Sequence, residues 1–365
     1  MNAPIAQPDA NLVPAPHASP CPVHVHNEWD PLEEIIVGVP DFAQVPSPGP
    51  DLFAIEYHEH HASPEQIPSG PYEPRVIEET REDLAILVET LEGLGVIVRR
   101  PERGDHRREF GTPEWRSNGE YNYCPRDVLL PVGDLIIETP MPLRSRLFEP
   151  YAYKQLLLEY FRGGARWISA PKPRLADGTW SLPGEGPALA NDEPLFDAAN
   201  VVRAGRDILY LVSCSGNRMG GEWLQRALGR EYRVHLLEGV YEGTHLDTTI
   251  TLLGPGKVLL NPARIRREEL PPVLRGWDVL WAPEMIDTGT TWPYARASIW
   301  SGMNFFMVNP QLAIVNKDQL PLIRLLERHG IDTLRVPLRH CRTLSGGLHC
   351  VTLDIRRRGA LESYR

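Results

Sequence analysis

Apolar and polar residues follow one order that occurs four times along this chain. A short apolar run leads into a tight turn of Gly, Asp, Asn or Pro, and a second short apolar run follows the turn. These turn residues supply the backbone conformations that β-hairpins require, so each occurrence predicts a hairpin. The four predicted hairpins are "RDVLLPVGDLIIETP" (126–140), "ANVVRAGRDILYLVS" (199–213), "TTITLLGPGKVLLNP" (248–262) and "MNFFMVNPQLAIVN" (303–316).

Between the hairpins, apolar residues recur at intervals of three and four, which predicts amphipathic helices. The predicted helices span 81–95, 152–164, 220–229 and 320–330. Each ends at a glycine, the residue that most readily adopts the left-handed conformation of a helix C-terminus. A single strand then follows, so the repeating unit is a hairpin, a helix and a strand.

Units that cannot bury their own apolar faces need neighbours, which favours a closed ring of modules resembling a propeller. The spacing of the units is irregular, and an open α/β sheet is the alternative. The pattern predicts one α/β domain over residues 23–365. Residues 1–22 contain six prolines and a single charged residue, Asp9, and we expect them to form a flexible tail.

The composition and charge of the chain limit the classes of protein and of partner that fit it. The chain has 365 residues, 42% of them hydrophobic and 24% charged, which is typical of a globular protein. A net charge of −10 argues against nucleic acid or an anionic membrane as partner, and it suits a cationic small substrate. No apolar run reaches the about 18 residues of a membrane span, and the N-terminus lacks a secretory pattern. We therefore expect a cytoplasmic protein.

The cysteines do not form a pattern of structural sites. They are five, an odd number, and no CxxC spacing occurs among them, which argues against a disulfide framework and against a zinc site.

Acidic and imidazole groups fall at comparable points of the predicted modules. Asp127 begins one hairpin, Asp197 leads into the next, and His245 and Asp247 in "EGTHLDTT" lead into a third. His-x-Asp places both side chains on one side of an extended chain. Module ends converge in a ring, so these groups are predicted to meet in one pocket. As the alternative, the aspartates are turn or cap residues and the histidine is structural.

Cys350 opens the last predicted strand, beside the glycine pair Gly346-Gly347. A lone cysteine in a strand is commonly a small core residue. Glycines, however, let a substrate approach the backbone closely, which favours a nucleophile at this position. His349 is adjacent and, in an extended chain, points to the opposite face, so we interpret it as structural.

A thiol, an imidazole and several carboxylates without metal-ligand spacing suit a guanidinium substrate. Carboxylates hold this planar cation by bidentate hydrogen bonds, which leaves its central carbon facing a thiolate. The histidine can then protonate the departing amine as general acid.

These stretches resemble the amidinotransferase family, namely glycine amidinotransferase and, more closely, the bacterial inosamine-phosphate amidinotransferases of aminoglycoside pathways. The resemblance covers about residues 24–364 and implies a five-module α/β propeller with pseudo-fivefold symmetry. It is carried by "HNEWDPLEEIIVG", "YCPRD", "ETPMPLRSRLFE", "APKPRLADG", "FDAANVVRAGRDILYLVS", "THLDTTI" and "SGGLHCVTLDIRRRGALESY".

The resemblance implies a role for each matching residue. Cys350 matches the nucleophile that carries the amidino group, His245 the general acid and base, and Asp197 the carboxylate that orients it. Asp127 and Asp247 match the carboxylates that hold the donor guanidinium. The implied reaction is ping-pong: L-arginine gives its amidino group to the cysteine, L-ornithine leaves, and a primary amine takes the group.

Further positions concern the substrates. Arg264 matches the arginine that binds the donor α-carboxylate, and Ser298 a serine near the substrate. No metal or organic cofactor is implied, and related enzymes suggest a homodimer. The alternatives are a deiminase-like guanidine hydrolase and a propeller that binds without catalysis.

The loop before the histidine departs from the glycine-specific pattern. Vertebrate-type enzymes have Asn-Pro-Met there, and this chain has Glu242, Gly243 and Thr244. Smaller residues would enlarge the pocket and Glu242 adds a negative charge. We therefore expect an acceptor larger than glycine, such as lysine, a diamine or an aminocyclitol. A solvated loop position for Glu242 is the alternative.

Overall fold

A computed structural model describes residues 21–59, 61–291, 293–294 and 297–364. Residues 1–20 of the predicted tail lie outside the described residues. The last two residues assigned to that tail contact the fold: Pro22 packs closely over Gly163, and its carbonyl oxygen accepts a hydrogen bond from Arg356 Nη1 at 3.4 Å. Cys21 and Pro22 thus pack against the α/β domain, and the domain boundary stays a prediction.

The described strands are, in chain order, β1 (Leu32–Val37), β2 (Gln44–Val45), β3 (Gly70–Pro71), β4 (Ile97–Arg99), β5 (Glu109–Gly111), β6 (Arg116–Asn118), β7 (Leu129–Val132), β8 (Leu135–Glu138), β9 (Arg166–Ser169), β10 (Val201–Ala204), β11 (Asp207–Leu211), β12 (Arg233–Leu237), β13 (Ile250–Gly254), β14 (Lys257–Leu260), β15 (Asp278–Trp281), β16 (Phe306–Asn309), β17 (Leu312–Asn316), β18 (Asp332–Val336) and β19 (Thr352–Arg357). The helices are α1 (Pro50–Leu52), α2 (Pro74–Gly93), α3 (Pro125–Val128), α4 (Lys154–Arg162), α5 (Arg218–Leu228) and α6 (Leu320–Arg328).

Four three-stranded sheets share one design. An antiparallel hairpin comes first, and its second strand pairs in parallel with the strand that follows a connecting segment. These sheets are β7-β8-β9, β10-β11-β12, β13-β14-β15 and β16-β17-β18. All four predicted hairpins are confirmed.

A fifth sheet joins the two ends of the chain. In the order β19-β1-β4, the last strand pairs antiparallel with the first, and β1 pairs in parallel with β4. This sheet repeats the design of the other four, with β19 and β1 in place of a hairpin. The α/β class is thereby confirmed.

The four predicted helices correspond to α2, α4, α5 and α6. Helix α2 begins at Pro74, seven residues before its predicted start, because proline is well suited to the first turn of a helix. The predicted glycine ends are confirmed by left-handed backbone at Gly95, Gly164, Gly229 and Gly330. Short 3₁₀ turns take the place of a helix between β14 and β15.

Helices bury one apolar face against the sheets. In α6, Leu322, Ile323 and Leu326 are fully buried, while Arg324 and Arg328 are exposed. No helix in the described ranges is long and apolar enough to cross a membrane.

A buried ionic network links the segment before β1, helix α3, β10 and β19. Arg203 donates to both oxygens of Glu28 at 2.7 and 2.9 Å, and its Nη2 lies 2.9 Å from both oxygens of Asp354. Asp354 also accepts from Arg126 Nη2 at 2.6 Å and from Arg357 Nε at 2.7 Å. Burial opposes ionisation, but these three cations hold the pKa of Asp354 well below its usual range.

Removing the shared carboxylate is expected to destabilise the fold strongly. Asp354→Ala leaves three guanidinium groups without their common partner, and breaking a buried pair in this way costs about 3–5 kcal/mol. As control, Asp134→Ala removes an exposed ion pair with Arg166 and should cost less than about 1 kcal/mol. Equal shifts in denaturant midpoint for the two variants would contradict this ranking.

Candidate active site

A cavity of about 870 Å³ opens beside the start of β19. The residues that line it lie in segments that connect the strands of the five three-stranded sheets. Every site residue predicted from the sequence is among these lining residues. The predicted residues are Cys350, His245, Asp197, Asp127, Asp247, Arg264, Ser298, Glu242 and Thr244.

Asp197 and His245 form a hydrogen-bonded pair. Asp197 precedes a 3₁₀ turn, where its Oδ1 accepts from the backbone N–H of Ala199 at 2.8 Å. Its Oδ2 lies 2.9 Å from His245 Nε2. Asp197 is therefore a cap residue that also hydrogen-bonds to the imidazole of His245.

His245 is held in an unusual backbone conformation, with φ of +66°, and its N–H donates to Asn200 Oδ1 at 3.3 Å. Left-handed backbone at a non-glycine residue is strained and clusters at functional sites. Burial acts to lower the pKa of His245, but the charges of Asp197 and Asp127 outweigh it and raise that pKa well above its usual value. The imidazole is held in its protonated form.

Asp127 sits in the short helix α3 with its carboxylate buried. Its Oδ2 accepts from Arg146 Nη1 at 2.6 Å, while its Oδ1 is buried and has no hydrogen-bond partner among the described residues. Burial and the neighbouring charge of Asp197 raise the pKa of Asp127 to about 6.

Asp247 faces the same cavity. Its Oδ2 accepts from Asn304 Nδ2 and from His349 Nδ1, each at 2.8 Å, and lies 3.4 Å from Cys350 Sγ. Within the part of the chain that the structure describes, its Oδ1 is buried and has no hydrogen-bond partner. Burial alone would raise the pKa of Asp247, but the hydrogen bond from His349 and nearby positive charge lower it to about 2.

Two buried carboxylates thus each keep one oxygen unpaired beside the same cavity. Leaving a buried acceptor unsatisfied costs about 1–3 kcal/mol, so such groups are expected to have a purpose. A planar cation with several N–H donors would satisfy both oxygens.

Cys350 lies in the turn before β19, which corrects the prediction that it opens the strand itself. Its Sγ, a carboxylate oxygen of Asp127 and a ring nitrogen of His245 all lie within 4.8 Å of one another. A hydrogen bond with Cys124, burial and the charge of Asp247 raise the pKa of the Cys350 thiol well above its usual value. Without substrate, the sulfur is a thiol.

These three groups already have protein partners for their charges and protons. Arg146 binds Asp127, Asp197 binds His245, and Asn304 Nδ2 lies 3.1 Å from the sulfur. Their ligand atoms are close enough together to hold a metal ion, and the same three groups can also serve acid–base and nucleophilic chemistry.

The predicted orientation of His349 is wrong. Because the chain turns here, His349 and Cys350 do not point to opposite faces, and both contact Asp247 Oδ2. Gly346 and Gly347 line the cavity, so the close approach of a substrate to this backbone stays a prediction. A Cβ on Gly346 would lie 2.5 Å from Cys124 Sγ, and one on Gly347 would lie 2.6 Å from Asn304 Oδ1. The glycines admit protein side chains close to the nucleophile.

Arg264 and Ser298 form one wall of the cavity. Arg264 Nη1 donates to the hydroxyls of Thr248 and Thr249 at 2.7 and 2.9 Å, and its Nη2 lies 3.4 Å from Ser298 Oγ. The guanidinium stacks on Tyr241, 3.8 Å from the ring centroid. This anchored cation can bind an anionic group of a ligand.

Glu242 and Thr244 lie on the loop that leads to His245. Glu242 is exposed, and its carbonyl oxygen accepts from the Cys214 N–H at 2.9 Å, which fixes the loop against the end of β11. Both residues line the cavity.

Sequence reasoning missed two residues of this site, Asn304 and Arg146. Arg146 binds Asp127 and also pairs with Glu149 at 2.6 Å, and its guanidinium stacks on Tyr121. In the sequence, an Asn at the start of a hairpin and an Arg in "RSR" resemble ordinary turn and surface residues. No local signal marks them.

No family model matches the chain. The chain is 53% identical over 344 residues to inosamine-phosphate amidinotransferase 1 of Streptomyces glaucescens. The aligned region covers 94% of this chain and 99% of that relative. The chain is 40% identical over 352 residues to the L-arginine:L-lysine amidinotransferase of Pseudomonas savastanoi pv. phaseolicola, with 94% and 96% covered. The solved structure of an inosamine-phosphate amidinotransferase from Streptomyces griseus matches with a TM-score of 0.92 at 53% identity, over 94% of this chain and 99% of that one.

These relatives span nearly the whole chain, and their names agree on one kind of transfer reaction. The protein is an enzyme of the transferase class, with the α/β fold of these relatives. The chain belongs to the amidinotransferase family.

Proposed function

We propose that this enzyme transfers the amidino group of L-arginine to a primary amine through a covalent amidino-Cys350 intermediate. The observation that carries the proposal is the pair of unpaired carboxylate oxygens on Asp127 and Asp247, beside the sulfur of Cys350 and the imidazole of His245. A guanidinium bound between these carboxylates presents its carbon to the thiol.

Donor binding prepares the nucleophile. The negative charges of Asp127 and Asp247 disfavour a thiolate in the free enzyme. A bound guanidinium neutralises them and places a positive charge next to Cys350, which lowers the pKa of the thiol. The proton leaves to solvent, and the thiolate forms where its target carbon lies.

In the first half-reaction, the thiolate of Cys350 attacks the guanidinium carbon and a C–S bond forms. The bond from that carbon to the δ-nitrogen of arginine breaks. His245, protonated and oriented by Asp197, gives its proton to this nitrogen, and L-ornithine leaves as an amine.

In the second half-reaction, a primary amine enters the space that ornithine vacated. The amine loses a proton to His245 and attacks the amidino carbon, the C–S bond breaks, and the thiolate is restored. The product is a guanidino compound. The same imidazole acts as acid and then as base.

Arg264 is proposed to bind the α-carboxylate of the donor, with Ser298 beside it. The Thr248 and Thr249 hydroxyls engage Nη1, which leaves Nη2 and the neighbouring hydroxyl of Ser298 facing the cavity. Binding of this carboxylate fixes the end of arginine that leaves the enzyme as ornithine.

The acceptor is proposed to be larger than glycine, and an aminocyclitol phosphate is the first candidate. The named relatives at 53% identity are inosamine-phosphate amidinotransferases, and another relative acts on L-lysine according to its name. A cavity of about 870 Å³ accommodates such acceptors, with Glu242 and Thr244 among its lining residues.

We also propose that the five three-stranded sheets form a propeller with pseudo-fivefold symmetry. The support is their common design and the pairing of β19 with β1, which joins the chain ends. A homodimer and a cytoplasmic location stay predictions.

Product analysis tests the proposed activity. Incubation with labelled L-arginine and a panel of amines (glycine, L-lysine, a diamine and an inosamine phosphate) is expected to give ornithine and a labelled guanidino product. Citrulline and ammonia with every acceptor would instead identify a guanidine hydrolase.

The same assay with Glu242→Gln tests the acceptor side. If this charge faces a second cationic group, kcat/KM should fall about tenfold for lysine and the diamine and stay unchanged for glycine. An equal change of kcat/KM for all acceptors would show that Glu242 does not determine which acceptor the enzyme uses.

A further inference from the structure

Asn304 uses its whole side-chain amide at the nucleophile. Its Nδ2 donates to Cys350 Sγ at 3.1 Å and to Asp247 Oδ2 at 2.8 Å. Its Oδ1 accepts from the backbone N–H groups of His349 and Cys350 at 2.9 and 3.0 Å. Two donors and two acceptor sites are the full capacity of a carboxamide, and all four are in use.

These partners also fix which way the amide faces. Two backbone N–H groups donate on one side, and an NH₂ group placed there would oppose donor to donor. The oxygen must therefore face the backbone, and the NH₂ group must face the sulfur and Asp247. Asn304 is 4% exposed, so water does not compete for these bonds.

The chain makes room for this arrangement at Gly347. A Cβ there would collide with Asn304, 2.6 Å from its Oδ1. The glycine next to the nucleophile thus lets the amide reach the turn that carries Cys350.

We propose that Asn304 is a further catalytic residue, whose amide N–H stabilises the thiolate of Cys350 while its second N–H holds Asp247 toward the guanidinium. The inference rests on the proposed function, since it assigns a role in forming the nucleophile. As a thiol, Cys350 can donate to Asp247 Oδ2 at 3.4 Å. As a thiolate it cannot, and Asn304 then provides a neutral donor between two negative charges.

Several other titratable groups bear on the sulfur, and they do not replace this donor. Asp127 and Asp247 oppose the thiolate by charge, Cys124 disfavours it, and His245 favours it. The remaining titratable neighbours are Tyr123, whose hydroxyl donates to Gly346 O, and His349, which donates to Asp247. Cys124 also shares a hydrogen bond with the sulfur, but it disfavours the thiolate, whereas Asn304 Nδ2 is a neutral N–H donor to it.

The test is the pH dependence of Cys350 alkylation by iodoacetamide, followed on the peptide that contains Cys350. Asn304→Asp keeps an oxygen for the two backbone N–H groups but removes the donor and adds a negative charge. The midpoint pH should rise by about one unit or more, a tenfold change per unit in thiolate formation. Amidino transfer should fall at neutral pH and recover at higher pH.

Asn316→Asp is the matched control, because Asn316 is also buried and lies on β17 away from the cavity. It should leave the midpoint unchanged. If Asn304→Asp does not fold, Asn304→Ala, which removes the side-chain donor without adding charge, should raise the midpoint in the same direction.

A folded Asn304 variant whose midpoint equals that of the unsubstituted enzyme would overturn the inference. Failure of the proposed function gives a different result. In that case the midpoint still shifts, but arginine forms no adduct on the unsubstituted enzyme.

Discussion

Cys350→Ser is expected to lower kcat/KM for amidino transfer by about 10⁴-fold or more, the scale of loss when a catalytic nucleophile is removed. A serine hydroxyl at this position ionises far less readily than a thiol and attacks the resonance-stabilised guanidinium carbon poorly. Transfer measured as ornithine release should reach background.

Binding of the donor should survive this substitution. The variant keeps Asp127, Asp247 and Arg264, the residues proposed to bind the donor. The unpaired oxygens belong to the two aspartates, so replacing Cys350 leaves them in place. Equilibrium binding of arginine to Cys350→Ser, measured by calorimetry, should stay within a few-fold of the unsubstituted enzyme. Cys341→Ser is the control, since Cys341 is buried and does not line the cavity; a comparable loss of transfer in that variant would point to a general effect on folding.

The second large effect concerns Asp127. Asp127→Asn should raise KM for L-arginine about 100-fold or more, because the neutral amide gives up a charge-assisted contact to the guanidinium in a buried site. Initial rates at varied arginine concentration measure this change.

The proposed role of Asp127 also predicts the direction in which kcat/KM for arginine changes with pH. The pKa of Asp127 is raised to about 6, so this carboxylate becomes protonated as pH falls through about 6 and can no longer balance the donor charge. The pKa of Asp247 is lowered to about 2, so that carboxylate stays ionised throughout. We expect kcat/KM for arginine, which reports the free enzyme, to fall below about pH 6.

Asp127→Asn removes the titrating group, so the low-pH limb should disappear from the residual activity. The exposed Asp134 offers a control, since Asp134→Asn should leave both KM and the limb unchanged. An acid limb that persists unchanged in Asp127→Asn would assign it to another group.

Much of the fold could be predicted from short-range patterns. Hairpins and helices follow from local periodicity and turn residues, and both were recovered over most of the chain. The sheet formed by β19 and β1 could not be predicted in this way, because its pairing joins opposite ends of the sequence.

The burial of charged side chains could not be predicted from the local sequence either. The run Arg356–Arg358 has the composition of a solvated or ion-paired face, and Arg357 is ion-paired: it is 1% exposed and donates to Asp354. Its burial depends on carboxylates contributed by the fold, and the sequence around position 357 does not encode them.

The active-site residues show the same contrast between what the sequence indicates and what depends on the fold. Residues identified by resemblance all line one cavity, but Asn304 was missed because its importance lies in its distances to Cys350 and Asp247. The glycine pair was interpreted as space for substrate, and the close contact with Asn304 that Gly347 also makes possible was not foreseen.

The most direct test is intact-protein mass spectrometry after brief mixing with L-arginine, without an acceptor, and rapid acid quenching. A gain equal to one CH₂N₂ unit, mapped to Cys350 and lost when an acceptor amine is added before the quench, is the result expected. An unchanged mass at every mixing time, together with normal turnover by Cys350→Ser, would contradict a covalent role for this sulfur.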